Sequence, residues 1–423
     1  MNGVSLSLHT PGELSPSGVL DVGLKCAHSC RFCYYSFMAE SSGGAGQHEA
    51  LRHARFRSTA DCLRIIELLA QNGLTGFDIT GGEPTMHEGL PQMVRRARAL
   101  GLAVRVITLG QFLLRPPLPP ENGAQTLPGT LLDALLDADV TDFLFSLHSA
   151  TEDGFRQATR GSLGKVLAAM DALDARGVQH SANTVVHAGN VGELPAIARL
   201  SAAHGVYHHN FIVFNAYYRW DSPESIAGLQ ASYADIAAPL TEAVKILEAA
   251  GRAVTVRYLP LCAAPGLARN IVGVVGVHHD PHEWMNRAGN PEREPEYCAE
   301  VLPVPKDGPR GVYALARAEK ELDFGPAGKV RAVAVRGDDF KVFPPACEGC
   351  AAMEYCDGLD PKYMLLHGLA GISPFAAAEG ALPLLASRRA YLPAFVMKRA
   401  QKADMLQAIS RVMPHGAGLA SQA

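Results

Sequence analysis

The chain has 423 residues, 48% of them hydrophobic and 19% charged, and 38 Lys and Arg against 42 Asp and Glu leave a formal net charge of −4. Length alone suggests two or three domains at about 150 residues each, with enough apolar material for a sizeable core. The near-neutral balance supplies no broad basic surface, which argues against a nucleic-acid partner. The first twenty residues carry no signal-peptide pattern and no stretch reaches the ~18 apolar residues of a membrane span, so no membrane partner and a cytoplasmic location are expected.

From residue 19 to about 251, short β-rich runs alternate with longer amphipathic stretches, the pattern of repeated βα units on a parallel sheet. Six units are readable. Strands are predicted over 19–24, 77–80, 103–108, 142–147, 183–187 and 209–214. Helices are predicted over 60–72, with Thr59 as N-cap and Gly73 as the closing glycine, and over 92–100, 131–138, 165–176, 194–204 and 233–250. Gly101, Gly177, Gly205 and Gly251 follow helical runs, where the left-handed position suits glycine. Insertions over 41–53 and 115–130 read as loops near a binding face. After about residue 255 the alternation stops. A Pro-, Gly- and Cys-rich region with strand-like segments over 311–316 and 329–335 runs to about 374, and helix broken at Pro383 and Pro393 follows. The expected fold is α/β: a partial (β/α)6 TIM-like barrel over 18–251 after a short segment 1–17, a smaller cysteine-rich domain over 252–375, and a helical extension and tail over 376–423.

The nine cysteines cluster near the two ends, which in a reducing compartment suggests thiolate ligands for metal rather than disulfides. Directly after the first strand stand Cys26, Cys30 and Cys33 in a CxxxCxxC spacing, with Phe32 just before the last. Most iron–sulfur clusters take four protein thiolates, so a tight trio leaves one iron open for an exogenous ligand. The competing reading is a buried helical stripe, since i, i+4, i+7 also describes an apolar face; Lys25, His28, Ser29 and Arg31 make poor core neighbours for it. After the second strand comes Thr80-Gly81-Gly82-Glu83-Pro84, and the fourth strand ends in Phe145-Ser146-Leu147-His148.

These motifs together resemble the radical S-adenosylmethionine (radical SAM) superfamily, over about residues 18–215. The resemblance implies an enzyme in which the trio holds a 4Fe-4S cluster with an open iron. Gly81, Gly82 and Glu83 would meet the methionine amino group, Ser146 and Arg160 its carboxylate, and Asn183 the ribose or methionine end, while Phe32 and Tyr34 would border the adenine. Leu109-Gly110 is a possible close-approach point. The implied chemistry is reductive cleavage of S-adenosylmethionine to a 5′-deoxyadenosyl radical that abstracts hydrogen from a substrate carbon. It requires an external one-electron donor such as flavodoxin or ferredoxin.

Cys347, Cys350 and Cys356 form a CxxCx5C run, and this resembles the SPASM or shortened twitch extension of radical SAM enzymes. Asp360 stands where a full SPASM run has its fourth cysteine, which favours one auxiliary 4Fe-4S cluster. Cys262 is the preferred fourth ligand, ahead of Cys298, and a structural zinc site is the alternative. Cys62 reads as core. The pairs His208-His209 and His278-His279 lack partners at ligand spacing and read as structural, the second with a possible share in a substrate pocket. Because fewer than twenty residues precede the first strand, a small metabolite in a biosynthetic pathway is the expected substrate; a peptide, with leader recognition supplied separately, is the alternative. A non-catalytic iron–sulfur or zinc protein is the third, disfavoured by Glu348, Glu354 and Asp357 among the cysteines.

Overall fold

A computed structural model describes residues 17–33, 51–71, 76–119, 128–216, 226–268, 270–272, 319–323, 329–336, 339–350 and 358–376. Eight parallel strands lie side by side in chain order: β1 Ser17–Asp21, β2 Gly76–Thr80, β3 Ala103–Thr108, β4 Asp142–Ser146, β5 His180–Val186, β6 Val206–Val213, β7 Ala253–Arg257 and β8 Ile271–Val272. The connecting helices are α1 Thr59–Gln71, α2 Leu90–Ala99, α3 Leu131–Asp137, α4 Glu152–Thr159, α5 Leu163–Asp174, α6 Leu194–Ala203 and α7 Tyr233–Ala249.

Strand alternation sorts the side chains into two layers. Leu20, Phe77, Ile79, Val104, Val106, Phe143, Phe145, Phe211, Val254 and Val256 belong to one continuous core with the apolar faces of the helices. The alternate positions line the interior of the partial barrel and include many polar residues. There Arg105 donates through Nε and Nη2 to the two carboxylate oxygens of Asp78, at 2.8 and 2.6 Å. Asp142 accepts from Ser181 Oγ at 2.9 Å and from Tyr207 OH at 3.0 Å. A bond from β6 to β4 past the intervening β5 shows that these groups share one face. Burial opposes the Arg105 charge and Asp78 outweighs it, so the Arg105 pKa rises. These polar groups thus cross-link the amino-terminal end of the barrel, although Arg105 Nη1 and Asp142 Oδ1 are buried without a hydrogen bond among the described residues.

The six strands predicted for the barrel all form, with two further strands beyond them. β7 pairs parallel with β6, Asn210 against Thr255, and β8 pairs parallel with β7, Val256 against Ile271. The sheet therefore continues past residue 251, the expected end of the barrel, and past about residue 255, where the alternation was expected to stop. β8 has only two residues, too few to show any period, and β7 follows its helix with just Ala250, Gly251 and Arg252 between. Helix α1 starts one residue earlier than expected, and its cap is Ser58 rather than Thr59: Ser58 Oγ accepts from the Asp61 amide at 3.1 Å. Gly101, Gly177, Gly205 and Gly251 take positive φ after their helices, while Gly73 lies outside the described residues. Helix α4 was not foreseen; Thr151 caps it by accepting from the Gly154 amide.

Beyond the sheet, β9 Glu319–Asp323, β10 Lys329–Arg336 and β11 Asp339–Phe343 form an antiparallel three-stranded sheet, followed by α8 Pro361–His367. The expected strand over 329–335 corresponds to β10. The expected strand over 311–316 and the helix after 376 lie outside the described residues. Tyr363 on α8 stacks on Tyr233 of α7 at 3.8 Å between ring centroids, and its hydroxyl accepts from the Tyr233 amide and donates to Ala370 O. Helix α8 is thereby fastened to the first turn of α7. Among the described residues no helix is long and apolar enough to cross a membrane.

Candidate functional site

The segment after β1 carries Cys26, Cys30 and Cys33 across the carboxyl-terminal ends of the strands, and three other segments hold it by backbone hydrogen bonds. The Cys26 amide donates to Leu51 O at 3.0 Å. The Gly82 and Glu83 amides, after β2, donate to Gly23 O and Lys25 O at 2.7 and 3.0 Å. The Ser29 and Arg31 amides donate to Thr159 O and Ala158 O, at the end of α4, at 3.0 and 3.1 Å. A loop with so many backbone partners is preorganised, which is what a multi-thiolate site needs.

The glycine pair is required by this clasp. A Cβ on Gly82 would stand 2.0 Å from Lys25 O, and one on Gly81, whose φ is +127°, 2.5 Å from Gly23 O. Glu83, 1% exposed, directs its carboxylate into the protein: Oε1 accepts from Thr85 N, Thr85 Oγ1 and Thr108 Oγ1 at 3.1, 2.5 and 2.6 Å, and Oε2 from Leu109 N at 3.1 Å. The side chain therefore ties the loop after β2 to the loop after β3, and its Oε2 also lies 3.8 Å from His28 Nε2 in the cysteine segment.

The three thiols lie close enough to influence one another. Burial, then Cys33, Cys26 and Glu83 in turn, pushes the Cys30 thiol far above its ordinary range; burial and Glu83 do the same to Cys26. Buried thiols crowded beside a carboxylate resist ionising by themselves, and a cationic metal centre that binds them as thiolates relieves that cost. The donor set fits an iron–sulfur cluster, which takes cysteine thiolates.

Across the strand ends from the trio runs a polar row set by register: Ser146 opposite Asn183, Asn183 opposite Asn210, Asn210 opposite Thr255. In-register residues of a parallel sheet face the same side. Thr255 Oγ1 donates to Asn210 Oδ1 at 2.9 Å and pairs with His208 Nε2 at 3.0 Å. Asn183 Oδ1 is buried with no hydrogen-bond partner among the described residues, and Ser146 Oγ has none there either. A buried amide oxygen left unbonded is costly.

Arg160 follows the α4 carbonyls that grip the cysteine loop. Its φ is 58°, the left-handed cap position, and its exposed guanidinium has no partner among the described residues. Phe32 packs with Ala158, Phe214 and Ile226, edge-on to His148 at 4.6 Å between centroids and tilted to His187 at 5.4 Å. Thus Phe32, Gly81, Gly82, Ser146, Arg160 and Asn183 stand on the loops and strand ends around the trio, whereas the Glu83 carboxylate is turned inward. Gly110 bears on Phe145, where a Cβ would be 2.7 Å from the ring. Tyr34 lies outside the described residues.

His148, His187, Asn210 and Thr255 were not among the site candidates. The period-two rule places His148 on the Ser146 face; no local signal marks the other three, whose position depends on strand register. His208 and His209 are structural as expected, His209 bonding Ser201 Oγ through Nδ1 and Thr184 Oγ1 through Nε2 at 2.8 and 2.9 Å. His278 and His279 lie outside the described residues, and Cys62 is fully buried in the core.

A second group of thiols lies beyond β7. Cys262, Cys347 and Cys350 line one cavity with Pro260, Leu261, Phe343 and Leu359. Burial, then Cys262 and Cys350, pushes the Cys347 thiol up to about 11. Cys356 and Cys298 lie outside the described residues. Among the described residues no three His, Cys, Asp or Glu side chains converge on a point suited to a single metal ion.

The sequence pattern of the Radical SAM superfamily matches residues 21–200. The PqqA peptide cyclase of Xanthomonas campestris pv. campestris (strain B100) is 27% identical over 206 residues, 48% of this chain and 48% of that protein. The GTP 3′,8-cyclase of Geobacter sulfurreducens is 34% identical over 186 residues, 43% of this chain and 50% of that protein. The chain thus spans about half the length of the curated relatives it matches. Streptococcus suis SuiB bound to precursor peptide SuiA superposes with a TM-score of 0.46 at 13% identity, over 60% of this chain and 52% of that structure.

Proposed function

Residues 21–200 of this chain form a radical SAM domain, and from that premise we propose that the protein binds a four-iron cluster and S-adenosylmethionine and abstracts hydrogen from a substrate carbon. The observation that carries the proposal is the three-way backbone clasp on the Cys26–Cys30–Cys33 loop, made by residues 51, 82–83 and 158–159. When bound, the cluster and S-adenosylmethionine supply a reductively generated 5′-deoxyadenosyl radical. The chain's own residues do the placing. The three thiolates hold the cluster and leave one iron to the cofactor. The backbone of Gly81 to Glu83 receives the methionine amino group, Arg160 and Ser146 its carboxylate through charge-assisted hydrogen bonds, and Asn183 a donor of the ribose or methionine end.

Asn210 and Thr255 continue the polar row away from Ser146, and Arg257 follows on the same face of β7 two residues on. A row of amide, hydroxyl and guanidinium groups suits a small polar substrate, and the likeness to a GTP 3′,8-cyclase supports this reading. A peptide substrate is the second reading, favoured by the likeness to a PqqA peptide cyclase. Cys262, Cys347, Cys350 and Cys356 are proposed to hold one auxiliary cluster in a twitch-like domain, and an external flavodoxin- or ferredoxin-type donor to supply the electron.

The test is anaerobic reconstitution with iron and sulfide, then mass spectrometry for 5′-deoxyadenosine after adding reductant and S-adenosylmethionine. The wild type is expected to form 5′-deoxyadenosine and the Cys26→Ala/Cys30→Ala/Cys33→Ala variant none. Full cleavage by that variant would sink the assignment.

A further inference from the structure

Residues 51–57 run beside the cysteine segment and are fastened to it at several points. The Cys26 amide donates to Leu51 O at 3.0 Å, Arg52 Nη2 to Ser29 Oγ at 3.0 Å, and the Arg57 amide to Val22 O at 2.9 Å. Phe56 forms an antiparallel bridge with Gly23, and a Cβ on Gly23, whose φ is +110°, would stand 2.6 Å from Arg55 O, so the two backbones lie in contact. Leu24 and Leu51 make a small core of their own, against which Cys26, Cys33 and Ala54 pack. The inner side of this strap therefore belongs to the same packed group as two of the three thiols.

The strap is basic. It reads Leu51-Arg52-His53-Ala54-Arg55-Phe56-Arg57, without an acid, and the adjoining residues 22–27 add Lys25, again without one, in a chain whose net charge is −4. Arg57 is buried and donates through Nε to Asp21 O at 2.7 Å. His53 and Arg55 are exposed, and Arg52 and Lys25 half-buried, with Lys25 Nζ 5.8 Å from the centre of the Phe56 ring. The Arg52 charge reaches Cys26, where it opposes burial and Glu83, which push that thiol up. A patch of one sign thus lies over the thiols of a molecule with the opposite net sign. Segregated charge of this kind steers a partner of complementary charge and fixes how it docks.

Besides the cofactor, the reductant is what must come close to these thiols. We propose that residues 52–55 are the docking surface for the electron donor, a carrier protein with acidic groups around its redox centre, which seats against Arg52 and Arg55 and delivers its electron past Ala54 and Leu51. This rests on the radical SAM reading, which requires an external donor without giving it a place on the chain. The transfer makes and breaks no bond: the carrier is oxidised by one electron and the cluster is reduced by one. Exposed side chains on a short strap suit the small, brief contact of an electron-transfer encounter. The polar row offered to a substrate lies inside the barrel instead.

The experiment measures how fast the first cluster of the anaerobically reconstituted protein is reduced, by electron paramagnetic resonance of rapidly frozen samples. The reductants are a reduced flavodoxin and, separately, photoreduced 5-deazaflavin, which is small and needs no docking. With flavodoxin the wild-type rate should fall about tenfold between low salt and ~0.3 M salt, as exposed charges are screened. The His53→Glu/Arg55→Glu variant should be reduced about tenfold more slowly than the wild type at low salt, and the gap should close at high salt. With deazaflavin the two proteins should be reduced equally fast, and their iron content and affinity for S-adenosylmethionine should be equal. Arg199→Glu, a charge reversal on α6, should behave as the wild type. The proposal is overturned if the double variant keeps the wild-type rate with flavodoxin, if it is slowed with deazaflavin as well, or if Arg199→Glu slows reduction as much. It is overturned too if neither a flavodoxin nor a ferredoxin reduces a wild-type cluster that deazaflavin reduces. A wild type that takes up no more iron than the Cys26→Ala/Cys30→Ala/Cys33→Ala variant overturns the parent reading, and this one with it.

Discussion

Arg160 occupies a backbone conformation that disfavours it. At φ 58° the Cβ crowds the backbone, and glycine usually ends a helix in this way. Its guanidinium returns nothing to the fold, having no partner among the described residues. A residue kept against its own conformational preference suggests a ligand, and this makes a test with two opposite signs. Arg160→Gly should raise the stability of the protein by up to about 1 kcal/mol, read by urea denaturation. The same variant should bind S-adenosylmethionine about ten- to a hundredfold more weakly, the loss of a charge-assisted hydrogen bond. If it loses affinity without gaining stability, the strain argument is wrong; if it gains stability and keeps affinity, Arg160 is a surface residue. Glu83 shows the reverse relation: the glutamate of the glycine-rich motif is legible from the sequence, but its carboxylate, bonded to Thr85, Thr108 and Leu109, works for the fold.

At the scale of elements, the site is a junction of loops. The cysteine segment is held to the turn after β2 and the end of α4 by backbone hydrogen bonds, to which side chains add the His28 Nε2–Glu83 Oε2 approach at 3.8 Å and the packing of Phe32 on Ala158. Gly82→Ala places a methyl group 2.0 Å from Lys25 O, and both partners are backbone, so neither can swing away. The expected result is a reconstituted protein with clearly less iron at the first site, although no thiol has been touched, and with unchanged far-ultraviolet circular dichroism. Normal iron binding by this variant would show that the clasp is dispensable. The strands that carry the polar row were largely legible, since hydrophobic alternation and closing glycines are local signals. β7 and β8 were not, because a strand of two residues has no period and belongs to the sheet only through its pairing with β7.

Two properties belong to the whole molecule. Cys262, at the end of the parallel sheet, shares a cavity with Cys347 and Cys350, more than eighty residues further along the chain. If Cys356 completes the set, the wild type should reconstitute to about eight irons and the first-trio variant to about four, the stoichiometry of two cubanes and of one. Cys262→Ser should then perturb the second cluster and Cys298→Ser leave the iron count unchanged. Loss of the cluster in the Cys298 variant, with retention in the Cys262 variant, would reverse the choice of ligand. Zinc in place of iron in the first-trio variant would favour the structural zinc site.

The second property is acid sensitivity. His148, His187 and His209 are buried and neutral, with pKa values lowered by burial to about 3, 4 and 3. Between the unfolded value of ~6.5 and these folded values the unfolded chain binds more protons, so stability is present above that window and is lost as pH falls through it. Each histidine should remove about 1.4 kcal/mol per pH unit within the window. Urea denaturation from pH 7 to pH 5 should show this slope, and His209→Gln should make it shallower. A slope unchanged by that substitution would remove His209 from the account.

The sequence by itself determined the local chemistry: three thiols at CxxxCxxC spacing, a glycine pair behind a strand, a second CxxCx5C run, and the βα periodicity that builds a parallel sheet. Each is a matter of neighbours along the chain, where covalent spacing and side-chain period are sufficient. Only the tertiary structure decided which polar groups are spent and which are left over. Whether Glu83 faces a ligand or Thr108, and whether Asn183 keeps a free oxygen, depend on strand register and loop packing between segments 25 or more residues apart. The same residue types are satisfied at one register and unsatisfied at the next, and hydrogen-bond geometry is too short-ranged for spacing along the chain to choose between them.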